Sequence, residues 1–236
     1  MPIPAQNIQG LVFCALAVAT AASAKFFQGI DPQTGLVAMA ILIFVLGVPH
    51  GVLDTVFAQN LYDVRTARDW IGFAVAYFIP AAVVVGLWQF APQLFLAGFL
   101  IISIAHFSGD PSPGTPVLSR IFYGGAIIVL PTILHSTEVT RLFSFLVGTD
   151  VASHTVEVLL TIKWPWLVGL ALAAIIRMQS DLTSGLEIVA LGLLATLAQP
   201  LVAFTVFFCT MHSARHILRT TEYFDNISIH RMLVSA

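Results

Sequence analysis

The sequence predicts an all-α fold, a polytopic bundle of about eight transmembrane helices. The composition is 58% hydrophobic and only 9% charged, whereas roughly a quarter of the residues in a typical soluble domain are charged. The mean hydropathy is +0.93. The few charges are separated by long uncharged runs, which leave no room for a soluble domain beside a single integral-membrane domain over residues 1–236.

Each predicted helix corresponds to one apolar run. A bilayer core about 30 Å thick requires roughly 20 apolar residues per helix, and fewer where neighbouring helices shield a broken one. The eight runs that qualify are residues 11–24, 36–57, 70–90, 94–107, 121–134, 164–176, 186–198 and 201–218.

The first run ends in Ala22-Ser23-Ala24, which resembles a signal-peptidase site. A secretory signal has a Lys or Arg before its apolar run, and none precedes this one. We therefore expect a retained first helix.

The dipeptide Gln199-Pro200 either kinks one long helix or divides the seventh segment from the eighth, because proline removes a donor and disfavours helix before it. The distribution of basic residues decides between these alternatives. With eight segments, seven of the ten Lys and Arg residues fall on one side of the membrane; with seven segments the split is four against six. The positive-inside rule favours eight, with both termini in the cytoplasm of a bacterial or archaeal cell.

The connection from His135 to Lys163 alternates polar and apolar residues, as in STEVTRLFSFLVG. This pattern predicts an interfacial helix.

Composition also excludes some functions. The ten basic residues are scattered, so the basic surface of a nucleic-acid-binding protein is missing. Cys14 and Cys209 lie inside apolar segments, where a small buried hydrophobe is expected.

Four of the seven histidines lie in polar clusters at the ends of apolar segments: His50 in HGVLD, His106 in HFSGD, and His212 with His216 in HSARH. Residues i and i+4 of a helix share one face. Segments two, four and eight end on the same side of the membrane, so the three clusters can converge. Ionisable groups inside a membrane indicate function by default, and imidazoles without thiolates suit zinc, copper, iron or nickel. The alternative is a hydrogen-bonded polar cluster that stabilises the bundle.

The acidic and basic neighbours of these histidines have supporting roles. Asp54 and Asp110 are expected to accept the free ring N–H of ligand histidines on neighbouring helices, with direct ligation as the alternative. Arg215 is expected either to pair with one of these aspartates or to extend to the lipid headgroups. His135 ends the fifth segment on the opposite side, which predicts a capping or interface role, and His154 and His230 lie in polar segments.

The motifs GVPHGVLD, SIAHFSGD, LPTILH and FTVFFCTMHSARH resemble, in this order, those of the Brp/Blh family of bacterio-opsin-related membrane β-carotene 15,15′-dioxygenases. The resemblance covers residues 47–216. It implies a non-haem Fe(II) ion held by His50, His106, His212 and His216, and cleavage of the central double bond of β-carotene with O₂ to give two retinals. His135 also lies in a motif of the family, LPTILH, but its predicted place on the opposite side of the membrane gives it no ligand role.

The family pattern further implies hydrophobic segments after the HSARH helix. This chain instead continues with the polar stretch EYFDNISIHR, as expected of either a shorter variant or a truncated chain.

A carotenoid would reach such a site from the bilayer and bind between helices. Phe204 and Phe208 lie eight and four residues before His212, on its helical face, and are candidates to line a polyene tunnel. Tyr77, Trp88 and Tyr123 are weaker candidates. Ordinary packing is the alternative for all of them, because phenylalanine is abundant, with 18 residues.

Two other functions use similar residues. A membrane di-iron hydroxylase or desaturase also carries HxxxH, but it needs more histidines and HxxHH boxes, which this chain lacks. A metal or proton transporter could use the same His and Asp clusters as a relay, and it would form no oxygen-dependent product. The oligomeric state is not predicted.

Overall fold

The computed structural model describes residues 5–24, 37, 39–45 and 66–223, with side chains through residue 220. These residues form helices and no strand. In chain order the helices are α1 (Ala5–Ala22), α2 (Ala67–Phe90), α3 (Pro92–Phe107), α4 (Val117–Val129), α5 (Thr132–Val147), α6 (Thr149–Ser180), α7 (Leu182–Leu197), α8 (Pro200–Phe207), a π-helix (Phe208–Ser213) and α9 (Ala214–Tyr223).

Several of these helices are long and apolar enough to cross a membrane. Within the described ranges, α1, α2, α6 and the run Pro200–Thr220 qualify singly. Helices α4 and α5 qualify together as one broken span with a bend of 63°. Helices α3 and α7 are shorter and apolar. The predicted all-α transmembrane bundle is confirmed.

The break between α4 and α5 corrects two predicted boundaries. The fifth run was expected to be one helix over residues 121–134, but the chain bends at Leu130-Pro131, because Pro131 cannot donate to the preceding turn. The single helix expected between His135 and Lys163 is two helices, α5 and the first half of α6, and its placement at the membrane interface stays a prediction. These two helices are joined at Gly148, whose φ of 81° favours glycine.

The dipeptide Gln199-Pro200 divides two helices, as the eight-segment prediction requires. Helix α7 ends at Leu197, Ala198 and Gln199 are extended with ψ of 156° and 139°, and Pro200 is the first residue of α8. Proline at this position is favourable, since the first helical residue needs no N–H partner.

The core lies where α1, α4, α6 and α7 meet the end of α8. Its fully buried side chains include Phe13, Tyr123, Leu191, Leu194 and Phe207. Helix α2 buries none of its residues among the described part of the chain and packs beside α3.

A close approach of α3 and α4 fixes the end of α3. A Cβ atom on Gly124 would overlap the carbonyl of Ile104 and the backbone of Ser108. Glycine therefore lets α4 pack directly against the last turn of α3, the turn that carries His106.

Candidate metal centre

Two histidines predicted to be ligands meet inside the bundle. His106 lies in the last turn of α3 and His212 lies in the π-helix. Their Nε2 atoms are 3.0 Å apart. His212 is almost fully buried, whereas His106 is exposed as far as the described residues show. Two ring nitrogens at this distance must share either a proton or a cation.

Asp110 orients one of these rings. The Nδ1 of His212 lies 2.9 Å from Oδ1 and 3.0 Å from Oδ2 of Asp110, and both side chains are at least nine-tenths buried. Because a carboxylate only accepts, Nδ1 carries the proton and Nε2 keeps its lone pair directed toward His106. A carboxylate behind a histidine is the usual arrangement around a ligand imidazole.

The loop that carries Asp110, residues 108–116, accepts hydrogen bonds from four arginines, of which Arg215 makes the longest, 3.4 Å to the carbonyl of Asp110. Arg219 donates to the carbonyls of Gly109 at 2.7 Å and Asp110 at 2.8 Å. Arg120 donates to the carbonyl of Ser108 at 2.9 Å. Arg177 donates to the hydroxyl of Ser112 at 2.8 Å. The carboxylate of Asp110 is thus held by backbone contacts on both sides of it.

The start of α7 supports the same loop. The hydroxyls of Ser112 and Ser184 are 2.6 Å apart, and Asp181 caps α7 by accepting from Ser184. Burial acts to raise the pKa of Asp181, but the hydrogen bonds from Ser184 and the charge of Arg177 outweigh it and hold that pKa below its usual value. Asp181 is therefore a charged cap at neutral pH.

Aromatic rings surround the histidine pair. The ring of Phe107 lies 5.0 Å from the ring of His212 and 5.7 Å from that of His106. The ring of Phe208 lies 5.5 Å from that of His212 and stacks on Phe204, also at 5.5 Å. This shell lowers the local polarity around the two Nε2 atoms.

An apolar cavity of about 240 Å³ begins at this shell. Its lining includes Phe107, Phe204 and α5 residues as far as Leu146, and Ser103 is the one polar side chain among the described residues that line it. Phe107 therefore touches both the histidine pair and the cavity.

Some predicted site residues are not brought into this pair. His216 lies on α9, partly buried and beyond the π-helix, and over residues 5–24, 37, 39–45 and 66–223 no three His, Cys, Asp or Glu side chains form a group that could hold a metal. His50, Asp54 and His230 lie outside the described residues. The four-histidine site remains a prediction.

The predicted aromatic lining is only partly placed at the cavity. Phe204 lines it, and Phe208 lies behind Phe204 beside His212. Tyr77 is 58% exposed on α2, and Tyr123 is 1% exposed in the core. Neither tyrosine is among the residues that line this cavity, and their contact with the substrate stays a prediction.

Arg215 corrects another expectation. It does not extend to lipid, because it is 3% exposed, and its carboxylate partner among the described residues is Glu187, to which it makes two hydrogen bonds of 2.6 and 2.8 Å. Such a bidentate pair is strong and directional. Sequence reasoning missed Glu187, although a lone carboxylate in the apolar run LEIVALGLL was the signal that could have found it.

His135 interrupts α5 with non-helical angles, and its Nε2 lies 3.3 Å from the carbonyl of Leu197. It thus meets the last turn of α7, in the capping role that was expected. His154 is exposed on α6 beside Glu157.

The donor atoms present fit a metal ion. Two nitrogens bound to one first-row metal at about 2.1 Å each, with their bonds at a right angle, would lie about 3.0 Å apart. The two Nε2 atoms have this separation. The carboxylate on Nδ1 of His212 fixes the tautomer that ligation needs.

Comparisons with known proteins agree with the motifs. A family model described as beta-carotene 15,15′-dioxygenase matches residues 41–235. A curated protein of that name from uncultured marine bacterium 66A03 is 29% identical over 206 residues, which cover 84% of this chain and 74% of the relative. No solved structure matches the chain.

Proposed function

Because the chain belongs to the β-carotene 15,15′-dioxygenase family, we propose that it cleaves the central double bond of β-carotene with O₂ at a metal ion held by His106 and His212. One oxygen atom goes to each of the two carbons of the broken bond, so that one β-carotene and one O₂ give two retinals. The observation that carries this proposal is the 3.0 Å separation of the two Nε2 atoms beside a buried carboxylate.

The proposed metal is iron(II), with His50 and His216 completing a four-histidine set. Imidazole ligands suit iron, and four of them leave up to two of six positions open; iron(II) would supply the activation of O₂. One described contact brings the part of the chain that precedes His50 to the π-helix. The Cys209 thiol, three residues before His212, lies 3.8 Å from the carbonyl of Leu42, eight residues before His50.

The chain's own residues bind and orient the substrate. A carotene is long and apolar, and the described residues that line the cavity beyond Phe107 are apolar except for Ser103. We assign this cavity to one half of the polyene, with Phe107 and Phe204 holding the chain beside the histidines. Oxidative cleavage of an alkene requires no general acid or base, so the apolar surroundings exclude water without removing a needed proton donor.

We also assign the protein to a bacterial inner membrane, with its termini in the cytoplasm. The relative is bacterial. Arg120, Arg177 and Arg219 gather around loop 108–116, at the end of the bundle where the histidines meet. The positive-inside rule assigns such an end to the cytoplasmic face.

The proposal is tested by incubating the iron(II)-loaded protein with β-carotene in detergent, in air and without O₂, and separating the products. We expect two retinals per β-carotene, formed only with O₂. Longer apocarotenals would contradict central cleavage, and an iron-loaded protein without any oxygen-dependent product would favour the transporter alternative.

Replacing Asp110 with asparagine should weaken metal binding. The amide keeps the size of the side chain but loses the charge that stabilises the His212 N–H, and outer partners of ligand histidines contribute about 10–100-fold in affinity or activity. Titration of the metal-free protein measures the dissociation constant. Asp150→Asn, at an exposed position, is the control. An unchanged constant in the Asp110 variant would remove this carboxylate from the site.

Replacing Ser103 with phenylalanine should obstruct the cavity. The larger side chain fills part of the 240 Å³, so we expect kcat/KM for β-carotene to fall at least about tenfold, as expected when binding loses more than about 1.4 kcal/mol, with metal affinity unchanged. Ser103→Ala and Ile102→Phe, the latter on an exposed face of α3, are the controls. Normal turnover by the Ser103→Phe variant would exclude this cavity as the polyene site.

A further inference from the structure

Helix α1 reaches the candidate metal centre although it precedes the region that matches the family model. That match begins at residue 41, whereas α1 covers Ala5–Ala22. Helix α1 packs along α7 and against α8, the π-helix and α9. Gln6 and Gln9 are half-buried polar residues of α1, and the side chain of Gln9 bonds to the segment around His212. The contacts of Gln9 are additions to what the family comparison describes.

Gln9 bridges the two ends of the turn that carries His212. Its Nε2 donates to the carbonyl of Thr210 at 2.6 Å and lies 3.6 Å from Sδ of Met211. Its Oε1 accepts from Nε of Arg215 at 2.9 Å. One side chain therefore contacts the two residues before His212 and the third residue after it.

The far end of this bridge is itself immobilised. Arg215 is held by the carboxylate of Glu187 through two hydrogen bonds. Gly10 makes room for the pair, because a Cβ atom there would overlap the Glu187 carboxylate. Helix α1 thus supplies both a polar contact from Gln9 and, one residue later, the space for the ion pair.

The turn that Gln9 holds is an unusual one. A π-helix is rare, and it occurs mostly as a single wide turn inside an α-helix, frequently at a functional site. It extends over Phe208–Ser213 and includes His212. If this turn relaxed to an α-helix, residues would rotate about the helix axis by roughly 100° for each residue absorbed. The Nε2 of His212 would then no longer face His106.

We infer that Gln9 is a positioning residue, which keeps His212 in its ligating orientation by joining Thr210, inside the π-helix, to Arg215 in α9. This inference rests on the proposed metal site. It gives α1 a role in the chemistry, through His212, in addition to its role in packing.

The test uses cobalt(II) in place of iron(II), with two readouts: the dissociation constant and the visible absorption of the bound ion, which reports ligand geometry. The variants are Gln9→Met, which preserves length and removes both hydrogen bonds, and Gln9→Glu, which keeps the acceptor for Arg215 but removes the donor to Thr210. The control is Asn7→Ala, at an exposed position on the same helix.

We expect both Gln9 variants to bind cobalt about 10–100-fold more weakly, as outer partners of ligands do, with a shifted absorption spectrum, and the control to match the unsubstituted protein. Native affinity and a native spectrum in a folded Gln9 variant would overturn this inference alone. An unsubstituted protein that binds no cobalt or iron would overturn the proposed metal site and this inference with it.

Discussion

Replacing His212 with alanine is expected to abolish the formation of retinal. His212 is the residue that joins the two parts of the site, because its Nε2 faces His106 and its Nδ1 donates to Asp110. Its loss removes one proposed ligand and leaves a buried carboxylate without its partner. The loss of activity should exceed the roughly 10–100-fold typical of outer partners.

This result is measured by chromatography of the products together with the iron content of the purified variant. The matched control is His154→Ala, because His154 is exposed on α6 and belongs to no cluster of the site. We expect the control to keep both activity and iron. Retinal formed at a normal rate by the His212 variant would remove this residue from the reaction centre.

The second large effect concerns stability. Replacing Arg215 with methionine leaves the Glu187 carboxylate buried without its partner, and breaking a buried pair in this way costs about 3–5 kcal/mol. The double variant Arg215→Met with Glu187→Leu should recover much of this loss, since it removes both charges together. The coupling energy of the two positions is the change in unfolding free energy of the double variant minus the summed changes of the two single variants.

Reversible unfolding in mixed micelles measures these free energies. Arg141→Met is the control, because Arg141 lies on the surface of α5 over the ring of Phe145, and surface changes of this kind stay within about 0.5 kcal/mol. A double variant as unstable as the Arg215 variant would show that the loss came from packing and that the ion pair was not its cause.

Much of the fold could be predicted because hydropathy is a local property. The break at Gln199-Pro200 followed from the missing N–H of proline and from the count of arginines on each side. The meeting of His106 and His212 followed from a simple topological argument, since two helices that end on the same side of a membrane can bring their last turns together.

Other features depend on contacts between distant residues. Nothing local to Arg215 indicates that its partner is Glu187, 28 residues earlier, and nothing local to Gln9 indicates a contact with Thr210. The π-helix is equally hidden, because FCTMHS reads as an ordinary continuation of an apolar helix. The connection before Lys163 is helical, as its amphipathic pattern indicated, but the pattern did not show that it is two helices, the second of which continues to Ser180 over 32 residues.

The most direct test of the account is anomalous diffraction at the iron edge from crystals of the iron(II)-loaded protein. We expect one peak bonded to Nε2 of both His106 and His212, at about 2.1 Å from each, with the Asp110 carboxylate still on Nδ1 of His212. A protein that forms retinal while its iron lies elsewhere, with the two imidazoles joined only by a shared proton, would contradict the assignment of the metal centre.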